Sequence, residues 1–161
     1  MTREEFKSIF DQHFDIVRNY IFYRCGNTDL ASDVAQETFL KVWEKQEAFK
    51  GNNVTGLLFK ISGDLFISHY RKQKTRLNYH LQVKPEYLQQ NPEEILQFEE
   101  LQKSYDHVLR IMPEKQRVVF LMHRLDELKY HEIAGHLGLS VKAIEKRMKL
   151  AIEFIRKNLN N

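Results

Sequence analysis

The chain of 161 residues is short of the residues that staple, bend or interrupt a fold. Cys25 is its single cysteine. An internal disulfide is therefore excluded, a reducing compartment suits the chain, and the thiol reads as a small buried side chain. Three prolines and six glycines are too few for a turn-rich β fold and favour long helices. No apolar run approaches the roughly 20 residues that cross a bilayer. Met1-Thr2-Arg3-Glu4-Glu5 lacks the basic-then-apolar layout of a secretory leader. The expectation is a cytoplasmic protein with no membrane insertion. Excess charge is scarce as well, since a net +3 points by itself to no polyanionic partner. Catalytic hardware is also missing: there is no glycine-rich phosphate loop and no nucleophile paired with a base. His131 and His136 flank Glu132 at a spacing of five, not the four of a zinc-binding His-Glu-x-x-His helix, so the imidazoles do not share a face. Neither enzymatic activity, a cofactor nor a metal is expected.

What is present is helical periodicity. Thr2 and Glu5 form a capping box, and Phe6, Ile9, Phe10, Phe14, Val17, Ile21 and Phe22 recur at helical spacing behind it. Gly26-Asn27-Thr28-Asp29 ends this helix and begins another, which runs to about Glu47. Its stripe of Ala31, Val34, Ala35, Phe39 and Val42 can bury. Thr55 caps a third helix carrying Leu58, Ile61, Leu65 and Tyr70. From 76 to 94 the chain turns polar, with Pro85, Pro92 and Gln89-Gln90-Asn91, and reads as a linker. Periodicity returns with Ile95, Phe98, Leu101, Tyr105, Val108 and Leu109, and Pro113 suits the first turn of a helix to about Arg124. The expected fold is all-α: two small helical domains, residues 1–75 and 95–161, joined by the linker at 76–94.

The stretch from Tyr130 to Arg147 has the skeleton of a helix-turn-helix. Ala134 allows close helix approach, Gly138 sits at the reversal, and Ile144 plugs the second helix. Ser140 is a natural N-cap for that helix. Beyond it Lys142, Lys146, Arg147, Lys149, Arg156 and Lys157 face only Glu145 and Glu153, so positive charge concentrates here. Ile144, Met148, Ala151, Ile152 and Ile155 form the inward stripe, leaving Val141, Lys142, Glu145, Lys146 and Lys149 outward. Lysines near the helix start can donate to guanine O6 and N7 or to phosphates, and Glu145 can accept from cytosine N4. Arg147 suits phosphate as well as base. A DNA-reading module follows.

The second helix of the N-terminal half presents another face. Asp33, Gln36, Glu37, Leu40, Lys41 and Glu44 recur at spacings of three and four. A solvated surface explains the carboxylates; a docking face for a basic helical partner also explains Leu40 and Trp43 as apolar anchors. Asp33-Val34-Ala35-Gln36-Glu37-Thr38-Phe39-Leu40-Lys41-Val42-Trp43 resembles region 2.2 of the sigma-70 family, within it the small extracytoplasmic-function (ECF) group. Met112-Pro113-Glu114-Lys115-Gln116-Arg117-Val118-Val119-Phe120-Leu121 resembles the start of sigma region 4, and Tyr130–Arg147 its promoter-reading motif.

The resemblance implies a bacterial transcription initiation factor that binds core RNA polymerase, directs it to promoters and helps open the DNA. It implies that Asp33, Gln36, Glu37, Leu40 and Trp43 meet the β′ clamp. Region 4 would lie on the β flap and read the −35 element through Ser140, Val141, Lys142, Glu145, Lys146, Arg147 and Lys149. The −10 element would fall to Asn52, Asn53, Lys60, Asp64, Ser68, His69, Arg71 and Lys72, with the Asn52-Asn53 loop open to a flipped-out base. Where the family usually carries Trp, Asn and Asp, this chain has Leu57, Asp64 and Ser68, and Asp64 adds a carboxylate near the DNA path. A further implied partner is an anti-sigma protein, often membrane-bound, with the linker letting the domains pack together or spread. Two rivals are a repressor or activator that ignores polymerase and a decoy that starts no transcript. The first leaves the Asp33–Trp43 face unused; the second draws on Leu57, Asp64 and Ser68.

Overall fold

The computed structural model describes residues 1–49, 53–70 and 92–159. Among these residues seven α-helices follow one another: α1 (Arg3–Cys25), α2 (Thr28–Glu44), α3 (Val54–Tyr70), α4 (Pro92–Ile111), α5 (Glu114–Arg124), α6 (Tyr130–Leu137) and α7 (Val141–Leu159). A 3-10 turn, Gln46–Phe49, follows α2, and no strand occurs among the described residues. Most of the expected linker lies outside those residues, as do Asn52, Arg71 and Lys72.

Local chemistry explains most boundaries. At α1, Thr2 Oγ1 accepts from the Glu5 N–H at 3.1 Å while the Glu5 carboxylate accepts from the Thr2 N–H at 2.7 Å. This reciprocal box satisfies two orphan donors. The helix ends where Gly26 turns left-handed at φ 68°, a conformation that costs other residues steric strain. Asn27 then caps α2, its Oδ1 accepting from the Leu30 N–H at 2.9 Å. Three boundaries differ from the sequence reading. α2 stops at Glu44 rather than Glu47, because Lys45 leaves helical geometry and the next turn tightens to 3-10. α3 is capped by Asn53, not Thr55: Asn53 Oδ1 accepts from the Gly56 N–H at 3.3 Å, which places Thr55 inside the first turn. α4 begins at Pro92, inside the expected linker, a start that proline's fixed φ and missing N–H favour.

The α2 stripe packs as expected. Ala31, Val34, Ala35, Phe39 and Val42 are all buried, and Thr38 joins them by donating its hydroxyl to the Val34 carbonyl at 2.7 Å. The rings of Phe10 and Phe14 lie 5.0 and 5.8 Å from Phe39. A side chain of this kind contributes about 1.5–3 kcal/mol by burial. A small cluster of Ile21, Cys25, Leu30, Ala31, Val34, Leu65 and Phe66 closes α1, α2 and α3. Cys25 is fully buried there and burial pushes its thiol pKa up, so the thiol acts as packing.

The two helical domains share one main core cluster. A single cluster runs from Val17, Phe39 and Leu58 in the N-terminal half to Leu109, Met122, Ile133 and Ile144 in the C-terminal half. The halves meet where α1 packs on α5 and α3 on α6. Each half keeps its own helix set, yet one continuous apolar interior serves both.

Candidate polymerase-facing and nucleic-acid interfaces

On α2, Asp33, Gln36 and Leu40 are exposed, Leu40 with 54% of its surface accessible despite its apolar side chain. Trp43 keeps 36% exposure and leans on the Phe6 ring at 5.0 Å, edge to face. That backing fixes the indole against the helix and leaves one flank to a partner. Glu37 is half-buried, and its carboxylate meets His69 Nε2 of α3 at 2.8 Å. Four of the five expected docking residues therefore share an open surface, while the fifth is already engaged within the fold. Lys41, grouped with this face in sequence, points elsewhere.

Lys41 and Lys45 line a groove of about 440 Å³ between α2 and α3, opposite Leu57, Lys60, Ile61, Asp64, Leu65 and Ser68. Three of the expected −10 residues, Lys60, Asp64 and Ser68, are gathered here. Three ammonium groups around one carboxylate give the groove a net positive lining, which suits a phosphate backbone, and its apolar floor suits a base. His69 is not a lining residue of this groove; it turns toward Glu37. Asn53 lies at the start of α3 with its Oδ1 committed to capping. Lys41 and Lys45 are the residues that sequence reasoning missed. Their spacing of four near the end of α2 was the available signal, but it did not reveal which neighbour they face.

In the C-terminal half, Gly138 ends α6 in the left-handed region at φ 66°. The Glu132 carboxylate accepts from the Lys129 N–H at 3.1 Å at the other end of that helix. Ser140 caps α7, its Oγ accepting from the Ala143 N–H at 3.1 Å. Ala134 and Ile144 are buried at the crossing of α6 and α7, as the helix-turn-helix spacing requires. Met148 and Ala151 continue the buried stripe, with Ile152 and Ile155 half-buried. Val141, Lys142, Glu145, Lys146 and Lys149 are exposed along the opposite face, and Arg147 flanks it half-buried. The positive end of the α7 dipole coincides with Lys142, reinforcing attraction for a polyanion.

These two exposed faces can be compared with known proteins. The family model for sigma-70 region 2 matches residues 9–76, and that for sigma-70 region 4 matches residues 102–155. The chain belongs to the sigma-70 family. RNA polymerase sigma factor YlaC of Bacillus subtilis is 26% identical over 98% of this chain and 93% of its own length. The ferric citrate uptake sigma factor FecI of Escherichia coli is 27% identical over 92% of this chain and 87% of its own. The ECF sigma factor SigW of Bacillus subtilis is 26% identical over 99% and 91%. Among solved structures, the sigma factor RpoE of Bartonella quintana, crystallised with the anti-sigma factor NepR, shares the fold. Its TM-score is 0.65 at 21% identity, over 98% of both chains. CnrH, in complex with the cytosolic domain of CnrY, gives 0.67 at 20% identity over 99% of this chain and 90% of its own. The chain is an ECF sigma factor, hence a transcription initiation factor that works with core RNA polymerase at promoters; the family comprises transcription factors rather than enzymes. Among the described residues no helix is long and apolar enough to cross a membrane.

Proposed function

We propose that this sigma factor grips polymerase through the α2 face and the promoter through two separate surfaces. Asp33, Gln36, Leu40 and Trp43 dock on the β′ clamp, with Glu37 joining them. The α2–α3 groove receives the opened −10 strand: Lys41, Lys45 and Lys60 hold phosphates, Ser68 meets a base edge, and Asp64 lines the strand's path with a carboxylate that opposes it. Asn52, Asn53, His69, Arg71 and Lys72 complete that region. Region 4, residues 95–161, rests on the β flap and reads the −35 element with Val141, Lys142, Glu145 and Lys146, while Ser140, Arg147 and Lys149 fix register on the backbone. Residues 1–75 form the other functional unit. An anti-sigma protein that covers these faces is the partner this arrangement suits, and the cytoplasm is where it acts.

The observation that carries the reading is the coexistence of an exposed Leu40–Trp43 patch on α2 with an exposed lysine face at the start of α7. A DNA-binding repressor explains the second and not the first. The test is reconstitution with purified core polymerase. Asp33→Arg combined with Gln36→Ala abolishes co-purification with core; normal binding by this variant defeats the docking assignment. Lys142→Ala with Lys146→Ala lowers run-off from a cognate promoter with core binding intact. Asp64 among the groove lysines keeps the decoy reading open to one measurement: a holoenzyme that binds the promoter but yields no run-off transcript favours it.

A further inference from the structure

Trp43 stands at an unfavourable place for a docking side chain. It lies on the last turn of α2, one residue before the helix ends at Glu44 and two before Lys45 leaves helical geometry. The last carbonyls of a helix lack intrahelical partners, so this turn is the part that frays. Val42 beside it is buried and holds the backbone, but the indole itself stays exposed at the rim. A loose aromatic side chain must be ordered when a partner closes on it. Ordering one such side chain costs about 2- to 10-fold in affinity. A docking residue at a helix end therefore gains from a support that lies outside its own helix.

That support comes from α1. Thr2 and Glu5 cap the helix reciprocally, at 3.1 and 2.7 Å. The Phe6 N–H then makes the first α-helical hydrogen bond, to the Thr2 carbonyl at 3.0 Å. The backbone of Phe6 is thus set by the capping box. Its ring is wedged against two rings one turn apart on α2: Phe39 at 6.5 Å and 77°, and Trp43 at 5.0 Å and 62°. Both contacts are edge to face, an arrangement that the ring quadrupoles favour. Phe39 is buried in the main core, and Phe10 meets Phe39 at 5.0 Å and Phe6 at 6.5 Å. A continuous aromatic path therefore runs from the core through Phe6 to the indole. Phe6 also lines a groove of about 570 Å³ along α1 with Arg3, Glu4, Lys7 and Phe10, so a direct contact with a partner is the rival reading. Exposure favours support, since Phe6 is half-buried whereas Trp43 and Leu40 are exposed.

We infer that Phe6 is a positioning residue for polymerase docking: it holds the Trp43 indole in place before polymerase arrives, and the Thr2–Glu5 box holds Phe6. The inference rests on the docking role proposed above for Trp43. It assigns Phe6 no contact with polymerase; the ring acts on core affinity only through the indole. The start of α1 carries none of the residues of the proposed docking face, yet it tunes how tightly that face is gripped.

The experiment uses the full chain. Trp43 is its single tryptophan, so the intrinsic fluorescence of the free protein reports this indole without a label. Phe6→Ala is expected to speed the anisotropy decay of Trp43 and increase its quenching by acrylamide. The same variant is expected to raise the Kd for immobilised core polymerase about 3- to 10-fold, the range set by ordering one side chain. Phe6→Tyr keeps the ring and is expected to restore both readouts. Thr2→Ala with Glu5→Ala leaves the ring present but its turn loose, and is expected to move both in the same direction by about 2-fold. If Phe6→Ala lowers the helical circular dichroism, Phe6→Leu is read by the same two measurements. The deciding step is a double-mutant cycle: once Trp43→Ala is in place, adding Phe6→Ala is expected to change core affinity by less than about 2-fold. An equal loss with and without Trp43 overturns the inference in favour of direct contact. It is also overturned if Phe6→Ala leaves core affinity unchanged, or weakens it without freeing the indole. Trp43→Ala that binds core normally defeats the docking role and the inference together, whereas weakened binding by Trp43→Ala but not by Phe6→Ala defeats the inference alone.

Discussion

Replacing Arg117 tests how far one buried side chain holds the fold together. Its guanidinium donates to four carbonyls: Tyr23 at 2.9 Å, Arg24 at 2.8 Å, Met112 at 3.1 Å and Leu109 at 3.4 Å. Hydrogen bonds from a charged donor contribute about 1.5–3 kcal/mol each, and the two short ones set the scale. Against this stands the recovered desolvation of a buried cation, together with water entering the vacated space to satisfy part of the carbonyls. The balance predicts that Arg117→Ala loses about 2–4 kcal/mol. Arg117→Lys keeps the charge but replaces a planar fork with one point donor, so it cannot serve both chain ends and loses at least half as much. Urea unfolding followed by far-UV circular dichroism measures both, with the slope against urea checked for constancy. An Arg117→Ala midpoint within about 0.5 kcal/mol of wild type would refute the reasoning, since that is the ordinary range for a surface substitution.

Four further outcomes follow from other parts of the molecule. Phe39→Ala, at a site 2% exposed between Phe10 and Phe14, is expected to lose about 3–5 kcal/mol in the same unfolding assay; a loss under 1 kcal/mol would show that the aromatic cluster collapses around the hole. Asp64→Asn removes the carboxylate among Lys41, Lys45 and Lys60 and is expected to raise open-complex formation about 2- to 5-fold, scored by permanganate reactivity; a decrease would make Asp64 a base contact instead. Lys142→Ala is expected to weaken binding to the −35 element and change its base preference. A uniform weakening across sequences, with a shallower salt dependence, would make it a phosphate contact. His136, half-buried on Phe59, has its pKa lowered chiefly by burial, which outweighs the raising influence of Glu132 and is helped by the smaller one of His13. A depressed imidazole contributes stability above the ordinary value of 6.5 and loses it as pH falls through the lower folded value. Acidification from pH 7.5 to 5.5 should therefore lower the thermal midpoint, and His136→Phe should flatten that trend; an opposite slope refutes the assignment.

Local order was legible in the chain because it is written by neighbours. The Thr2–Glu5 box, the α2 stripe and the Ala134, Gly138 and Ile144 spacing each depend on residues a few positions apart, and each took the expected form. Where two nearby residues compete for one role, the reading failed: Asn53, with its carboxamide oxygen one turn before Gly56, displaced Thr55 as the cap. Lys41 and Lys45 show a different limit. Helical spacing gives their direction from α2 but not what stands opposite, and α3 turned that side into a groove. The junction of the halves was illegible for the same reason, since Arg117 and Asp126 find partners about a hundred residues away in α1. No local period encodes such a pairing.

The Glu37–His69 contact gives the assignment of Glu37 to the polymerase face a sharper meaning. Glu37 lies on α2, the helix proposed to meet polymerase, and His69 on α3, the helix proposed to meet the promoter, 2.8 Å apart. Under the proposed docking, a cationic side chain of the clamp that takes Oε2 of that carboxylate displaces the imidazole. The ring then regains a free nitrogen beside the DNA path at the moment of docking. Recruitment and promoter contact would thus exchange a single hydrogen bond, a currency small enough for thermal motion to reverse and specific enough to report that polymerase has arrived.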